Sequence, residues 1–173
     1  MNDTNKPGSI GQVMPGTEIS IHDIEAPHDP MPLGERGEVR IKGPQVMKGY
    51  LNRPEETADS LRDGWFRTGD VGYMDEDGHF FLVDRMKDLI LCSGYNVYPR
   101  MVEEAIYLHP SVAEVTVIGI DDDYRGQSPK AFVKLKEGEQ VTEAEMKSFL
   151  EDKLSKIEMP SEIEFRLELP KTI

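Results

Sequence analysis

Cysteine is almost absent: Cys92 is the one thiol in 173 residues. No intrachain disulfide can form, so the fold must rest on packing, and the composition fits a reducing, cytoplasmic setting. With one cysteine and four histidines at scattered positions, no zinc-ligand spacing occurs. No apolar run approaches the ~20 residues a membrane-spanning helix needs. The opening MNDTNKPGSIGQ has no apolar stretch, so it does not read as a signal peptide. Positive charge is also scarce. Lysine and arginine number 20 against 33 aspartates and glutamates, a formal charge of -13. Residues 1–83 carry 8 basic and 15 acidic side chains, and residues 84–173 carry 12 and 18. Neither half offers a basic stripe, which argues against a nucleic-acid partner. An anionic membrane surface would be repelled for the same reason.

What remains is a soluble composition, 38% hydrophobic, with 15 glycines and 12 prolines that promise many turns. In the first half, Ile19 and Ile21 alternate with Glu18, Ser20 and His22, as in a half-buried strand. The run 38–42 repeats that pattern between two glycines. Residues 71–74 and 79–83 flank Asp75-Glu76-Asp77-Gly78, a hairpin signal in which glycine supplies the positive φ. Pro54 suits the first turn of a short helix over 54–58. These strands are few and widely spaced, so a partial sheet, poorly closed or disordered, is expected.

The second half alternates helices with strands. Pro99 opens a helix with Val102, Ala105 and Ile106 on one face, and Pro110 ends it. Residues 113–120 and 131–136 read as strands pairing antiparallel, with Phe132 out of phase with Val133 and Leu135. Thr142 and Glu145 form a capping box, with Val141 stapled onto Met146. Met146, Phe149, Leu150 and Leu154 then mark a helix over 142–156. Residues 162–167 alternate as a last strand. The expected fold class is α+β: a small C-terminal domain with a mainly antiparallel three-stranded sheet plus helices, preceded by a partial β-rich subdomain. The charged run Asp84-Arg85-Met86-Lys87-Asp88 suits a linker. The expected division is therefore 1–83, a linker at 84–89, and 90–173.

Four stretches carry chemical interest: GEVRIKGPQVMKGY at 37–50, WFRTGD at 65–70, DRMKDLI at 84–90 and CSGYNVYPRMVEEAI at 92–106. Asp70 follows Gly69, and an ionised carboxylate there accepts well from a diol, although an Asx-type turn residue fits equally. Arg85 offers several donors in a fixed plane, or is a surface arginine in a linker. Ser93-Gly94-Tyr95-Asn96 reads as a turn between two short strands, with Gly94 permitting close backbone approach. Trp65 suits core or interface. Cys92 suits a small buried position, with nothing nearby to activate it. Asp75, Asp77 and Gly78 lack calcium-loop spacing, and Asp121-Asp122-Asp123 opens a solvated turn.

In order and spacing these stretches resemble the adenylate-forming ligases, the superfamily of acyl-CoA synthetases, luciferases and peptide-synthetase adenylation domains. KPGSIGQVMPGTEISI and HPSVAEVTVIGIDDDYRGQSPKAFVKL extend the likeness over nearly the whole chain. SGYNVYP with DRMKDL is most similar to fatty-acyl-CoA ligases. The resemblance implies an AMP-forming acid–thiol ligase that uses ATP with magnesium to make an acyl-adenylate, then passes the acyl group to CoA. It implies that 1–83 is the C-terminal part of a large N-terminal domain and 90–173 a small mobile domain. Asp70 would accept from the ribose hydroxyls, Arg85 would reach ribose and phosphate, and Asn96 would lie near the adenylate. Lys87 would be the hinge between two domain poses. Ser93, Gly94 and Tyr95 would line the CoA tunnel, and Arg125 would approach the CoA nucleotide.

The resemblance also implies missing parts. The family's phosphate loop, magnesium carboxylate and acyl pocket would lie upstream. The family's Pro-Lys-Thr-x-x-Gly-Lys run begins here as Leu169-Pro170-Lys171-Thr172-Ile173, so Lys171 is not the catalytic lysine, which would lie beyond it. Leu91 replaces a lysine found in many acyl- and aryl-CoA ligases. The chain thus reads as a ligase fragment with no catalytic residue of its own, inactive alone. The alternatives are a luciferase-like or aryl-acid branch, or a non-catalytic interaction module that kept the small domain.

Overall fold

The computed structural model describes residues 6–26 and 29–170, and the chain divides into two compact units, Met1–Lys87 and Asp88–Ile173. One of the four histidines, His28, and Lys171, Thr172 and Ile173 of the last run named above lie outside the described residues.

The first unit contains β1 (Gly11–Gln12), β2 (Glu18–His22), β3 (Gly37–Lys42), α1 (Pro54–Ser60), β4 (Leu61–Arg62), β5 (Trp65–Met74) and β6 (His79–Arg85). The six strands form one antiparallel sheet in the order β1-β6-β5-β3-β2, with β4 also on β5. This sheet is fuller than the strand spacing suggested. The reason is β5: WFRTGD, read above as motif and turn, is the first half of a ten-residue strand that serves β3, β4 and β6 together. Gly69 lets the strand continue through the irregularity, at φ +73°. Ile21, Val39 and Phe80 are buried, and Ile19, Met31, Ile41, Met74 and Leu82 pack on them. The β5–β6 turn is built as its composition suggests: the Asp75 side chain accepts from the amides of Asp77 and His79 at 3.0 and 2.9 Å. The Lys6 ammonium also bonds Asp75 and holds its carboxyl below the usual carboxylate range. Trp65 is half-buried, edge-on to His22 at 6.3 Å, with the Lys42 ammonium 5.7 Å from its ring centre.

The second unit contains β7 (Ile90–Cys92), β8 (Tyr95–Val97), α2 (Pro99–Tyr107), β9 (Val112–Asp122), β10 (Gly126–Leu135), α3 (Glu143–Leu150) and β11 (Glu162–Phe165). β9 and β10 pair antiparallel over nearly their whole length. Val102, Ala105 and Ile106 of α2 are buried with Met146 and Leu150 of α3 against Val115, Val117, Ala131, Val133 and Ile163. At roughly 1.5–3 kcal/mol per buried aliphatic side chain, this cluster is the main source of the unit's stability.

Three features differ from expectation. The sheet has five strands, because the β7–β8 hairpin joins it through Cys92 opposite Gly126. β11 runs parallel to β10, since α3 and its following turns carry the chain back across the sheet. α3 stops at Leu150, well short of 156. There Lys153 N bonds Leu150 O at 3.0 Å in a tighter turn, and Ser155 and Glu158 bond each other locally instead of continuing the helix. Its start is as expected: Thr142 caps the amide of Glu145, and Glu145 reaches back to the amide of Thr142.

Candidate functional site

The β5–β6 hairpin positions the first group of residues. From the turn, Met74 pairs with Phe80, Tyr73 with Phe81 and Gly72 with Leu82. Continued without interruption, that register would set Asp70 against Asp84. A bulge between Val71 and Gly72 shifts it by one residue, so Val71 meets Asp84 and Asp70 meets Arg85. Like charges opposite each other are thereby replaced by opposite ones. Asp70 Oδ1 stands 3.9 Å from Arg85 Nε, an ion-pair contact too long for a hydrogen bond. Both side chains reach solvent, so the pair adds little stability.

On its other side β5 meets β3 with a larger irregularity. Glu38 pairs with Val71 and Arg40 with Arg67, so residues 68–70 stand opposite Val39 alone. Thr68 stitches this bulge: its hydroxyl donates to Val39 O at 2.7 Å and accepts from the amide of Asp70 at 3.0 Å. Gly69 at positive φ completes the turn, and a Cβ there would meet no neighbour within 4 Å. The result places Asp70 in the lining of an open cavity of about 570 Å³, which Arg85, Lys87, Tyr50 and Glu38 also line. Lys87 belongs to the short 3-10 turn Met86–Asp88.

The second group lies in the second unit on the β7–β8 hairpin. Ser93 and Gly94 hold φ +53° and +80°, the two positive values of a tight hairpin turn. Ser93 N donates to Arg125 O at 2.7 Å, and Leu91 N donates to the Gln127 side chain at 2.9 Å. Asp122 caps the neighbouring β9–β10 turn, accepting from the amides of Arg125 and Tyr124, and these bonds hold its carboxyl below the ordinary range. The two turns are thus tied together. Tyr95, Leu91 and Tyr124 are exposed around them, Asn96 is half-buried opposite Leu91, and Cys92 is fully buried.

Asp70, Arg85 and Lys87 therefore gather around one cavity, while Ser93, Gly94, Tyr95 and Asn96 share one hairpin of the other unit. Sequence reasoning missed Glu38, Arg67 and Tyr50. Glu38 is buried between Arg40 and Arg67, and period-2 alternation hides it, because it shares the polar phase of its strand with Arg40 and Lys42. Among the described residues no group of three or more histidine, cysteine, aspartate or glutamate side chains is placed to hold a metal ion by protein ligands alone.

Residues 1–51 match the AMP-binding enzyme family, and residues 101–173 match the AMP-binding enzyme C-terminal domain. The chain is 52% identical to a long-chain-fatty-acid–CoA ligase of Bacillus subtilis, over 97% of this chain and 30% of that protein. It is 45% identical to a 2-succinylbenzoate–CoA ligase of Geobacillus kaustophilus, over 96% of this chain and 33% of that protein. Its structure is similar to that of ATP-bound MatB from Rhodopseudomonas palustris, with a TM-score of 0.90 and 37% identity over 96% of this chain and 33% of that one. The chain spans about a third of the length of the curated relatives it matches.

Proposed function

Since the chain belongs to the adenylate-forming superfamily of AMP-binding enzymes, we propose that it supplies the ribose-holding edge and the small C-terminal domain of an AMP-forming acid–thiol ligase. The observation that carries this reading is the convergence of Asp70, Arg85 and Lys87 on one cavity. An ionised carboxylate at a fixed bulge accepts two hydroxyl protons from a ribose diol. A guanidinium directly across the ladder offers planar donors to the ribose and its phosphate. Lys87 is the hinge, placed in a single short turn at the boundary of the first unit. On the second unit, the Ser93-Gly94-Tyr95 turn lines the route of the CoA thiol and Asn96 approaches the adenylate. Two backbone and side-chain ties to residues 125–127 make that turn rigid enough to serve.

ATP with magnesium, a carboxylic acid and CoA are the co-substrates of this reading, and no step carried by the described residues runs through the metal. For the acid, a fatty type is supported by the 52% identity to a long-chain-fatty-acid ligase and by Leu91. The second reading is an aromatic acid, supported by the 2-succinylbenzoate–CoA ligase relative at 45%. This chain alone does not carry out adenylation in this account.

Titration of the ¹⁵N-labelled chain with AMP tests the proposal. Shifts centred on residues 67–70 and 85–87, lost in Asp70→Asn, are expected. Shifts elsewhere, or an undiminished response in Asp70→Asn, would refute it. Pyrophosphate exchange by the chain alone would refute the claim of inactivity. For the acid, competing fatty and aromatic acids on a ligase containing this segment separate the two readings.

A further inference from the structure

Glu38 is the one buried acidic side chain among the described residues, only 2% exposed, and neither the nucleotide reading nor the sheet alone requires a charge there. Its surroundings are specific. Arg40 donates through Nε to Oε2 at 2.9 Å, with a second guanidinium nitrogen also at 2.9 Å. Arg67 donates from Nε to both carboxylate oxygens at 3.1 Å. Arg40 and Arg67 are direct cross-strand partners, an arrangement that repels unless an anion sits between them. Arg67 lies three residues before Asp70, and both line the same cavity. A long guanidinium so placed would pair with the Asp70 carboxylate if nothing else engaged it. Asp70 instead keeps only the long 3.9 Å contact with Arg85.

We propose that Glu38 is a positioning residue that captures the Arg67 guanidinium, with Arg40 as its second partner, and so keeps the Asp70 carboxylate open to a ligand's hydroxyl groups. This rests on the reading of Asp70 as the ribose acceptor. Glu38 lines the same cavity but acts through the Arg67 guanidinium rather than on a ligand. Glutamine in its place keeps the shape but not the charge. Arg67 then turns to Asp70, a carboxylate that lines the same cavity, and competes with the diol.

The test uses the full ¹³C,¹⁵N-labelled chain, the Asp70 carboxyl and the Gly69 and Asp70 amide signals, and AMP as the probe. Glu38→Gln is expected to displace the Asp70 carboxyl signal and weaken AMP binding by about tenfold or more, the effect of occupying a charge-assisted acceptor. Adding Arg67→Gln removes the competitor, returning the Asp70 signal and bringing affinity to within about threefold of the parent. A merely structural glutamate gives no such rescue, because a second lesion in the same buried cluster adds damage. If Glu38→Gln does not fold, Glu38→Asp keeps the charge with a shorter reach and is expected to give a smaller displacement, again relieved by Arg67→Gln. An Asp70 signal unmoved by loss of Glu38, or a double variant that stays displaced, overturns the proposal. The Asp70 signal decides the matter without ligand, so a parent chain that ignores AMP counts against the nucleotide reading alone.

Discussion

Replacing Thr68 by valine removes a single hydroxyl from the bulge that presents Asp70. The side chain keeps its branched shape, so packing changes little. Two hydrogen bonds are lost, the 2.7 Å bond to Val39 O and the 3.0 Å bond from the Asp70 amide. At about 0.5–1.5 kcal/mol net for each, the local cost is roughly 1–3 kcal/mol. Thr68 is half-buried, so water can replace part of this and the lower half of the range is expected. A free-energy loss of that size raises the opening of the bulge by roughly tenfold. Native-state hydrogen exchange followed by NMR reads it directly: the Asp70 amide should exchange about tenfold faster, with the amides of β6 beyond Gly72's partner unchanged, and AMP binding should weaken. Thr68→Ser, which retains the hydroxyl, should behave nearly as the parent. An unchanged Asp70 amide, or a uniform rise across the whole sheet, would show that Thr68 does not hold the bulge.

The second unit yields three further expectations. Thr142→Ala removes the α3 cap and should lower stability by about 1 kcal/mol, read as a lower urea midpoint for the second unit. Leu150→Ala deletes a fully buried side chain between α3 and the sheet and should cost about 2–5 kcal/mol, read in the same titration; a loss under 1 kcal/mol would contradict the packing. Glu145 is held below the usual carboxylate value by the Thr142 amide and hydroxyl, and Glu143 by the Lys147 ammonium. Because these folded values lie below the unfolded ones, their contribution is complete only well above the ordinary glutamate value of about 4.3, and it disappears as pH falls through that value and then through the lowered ones. Thermal melting between neutral and acid pH should therefore decline less steeply in Glu145→Gln than in the parent, and parallel profiles would count against the capping account.

Local signals were the legible ones. Pro99 and Pro110 bracket α2, the Thr142–Glu145 pair starts α3, and Asp75 to Gly78 make the β5–β6 turn, because each acts within a few residues of itself. The end of α3 was hidden, since Leu154 continues the apolar stripe while Ser155 and Glu158 satisfy one another and release the helix. The place of the β7–β8 hairpin in the sheet depends on the Gln127 side chain and on one pairing of Cys92 with Gly126, contacts that no periodicity encodes. Asp70 and Arg85 could be named from motif, but their meeting could not: the hairpin register alone pairs Asp70 with Asp84, and only the bulge corrects it. Alternation makes Glu38 the outward residue of a half-buried strand, whereas Asp59 and Ser60 of α1 and the bulged β5 line the cavity on that side too.

A comparison of AMP with its 2′,3′-dideoxy counterpart, titrated separately into the labelled chain, isolates the ribose hydroxyls while leaving base and phosphate in place. The Asp70 carboxyl and amide signals should respond to AMP and remain still with the dideoxy nucleotide. Equal responses to both would mean that Asp70 does not hold a diol, and the account of the cavity would be wrong.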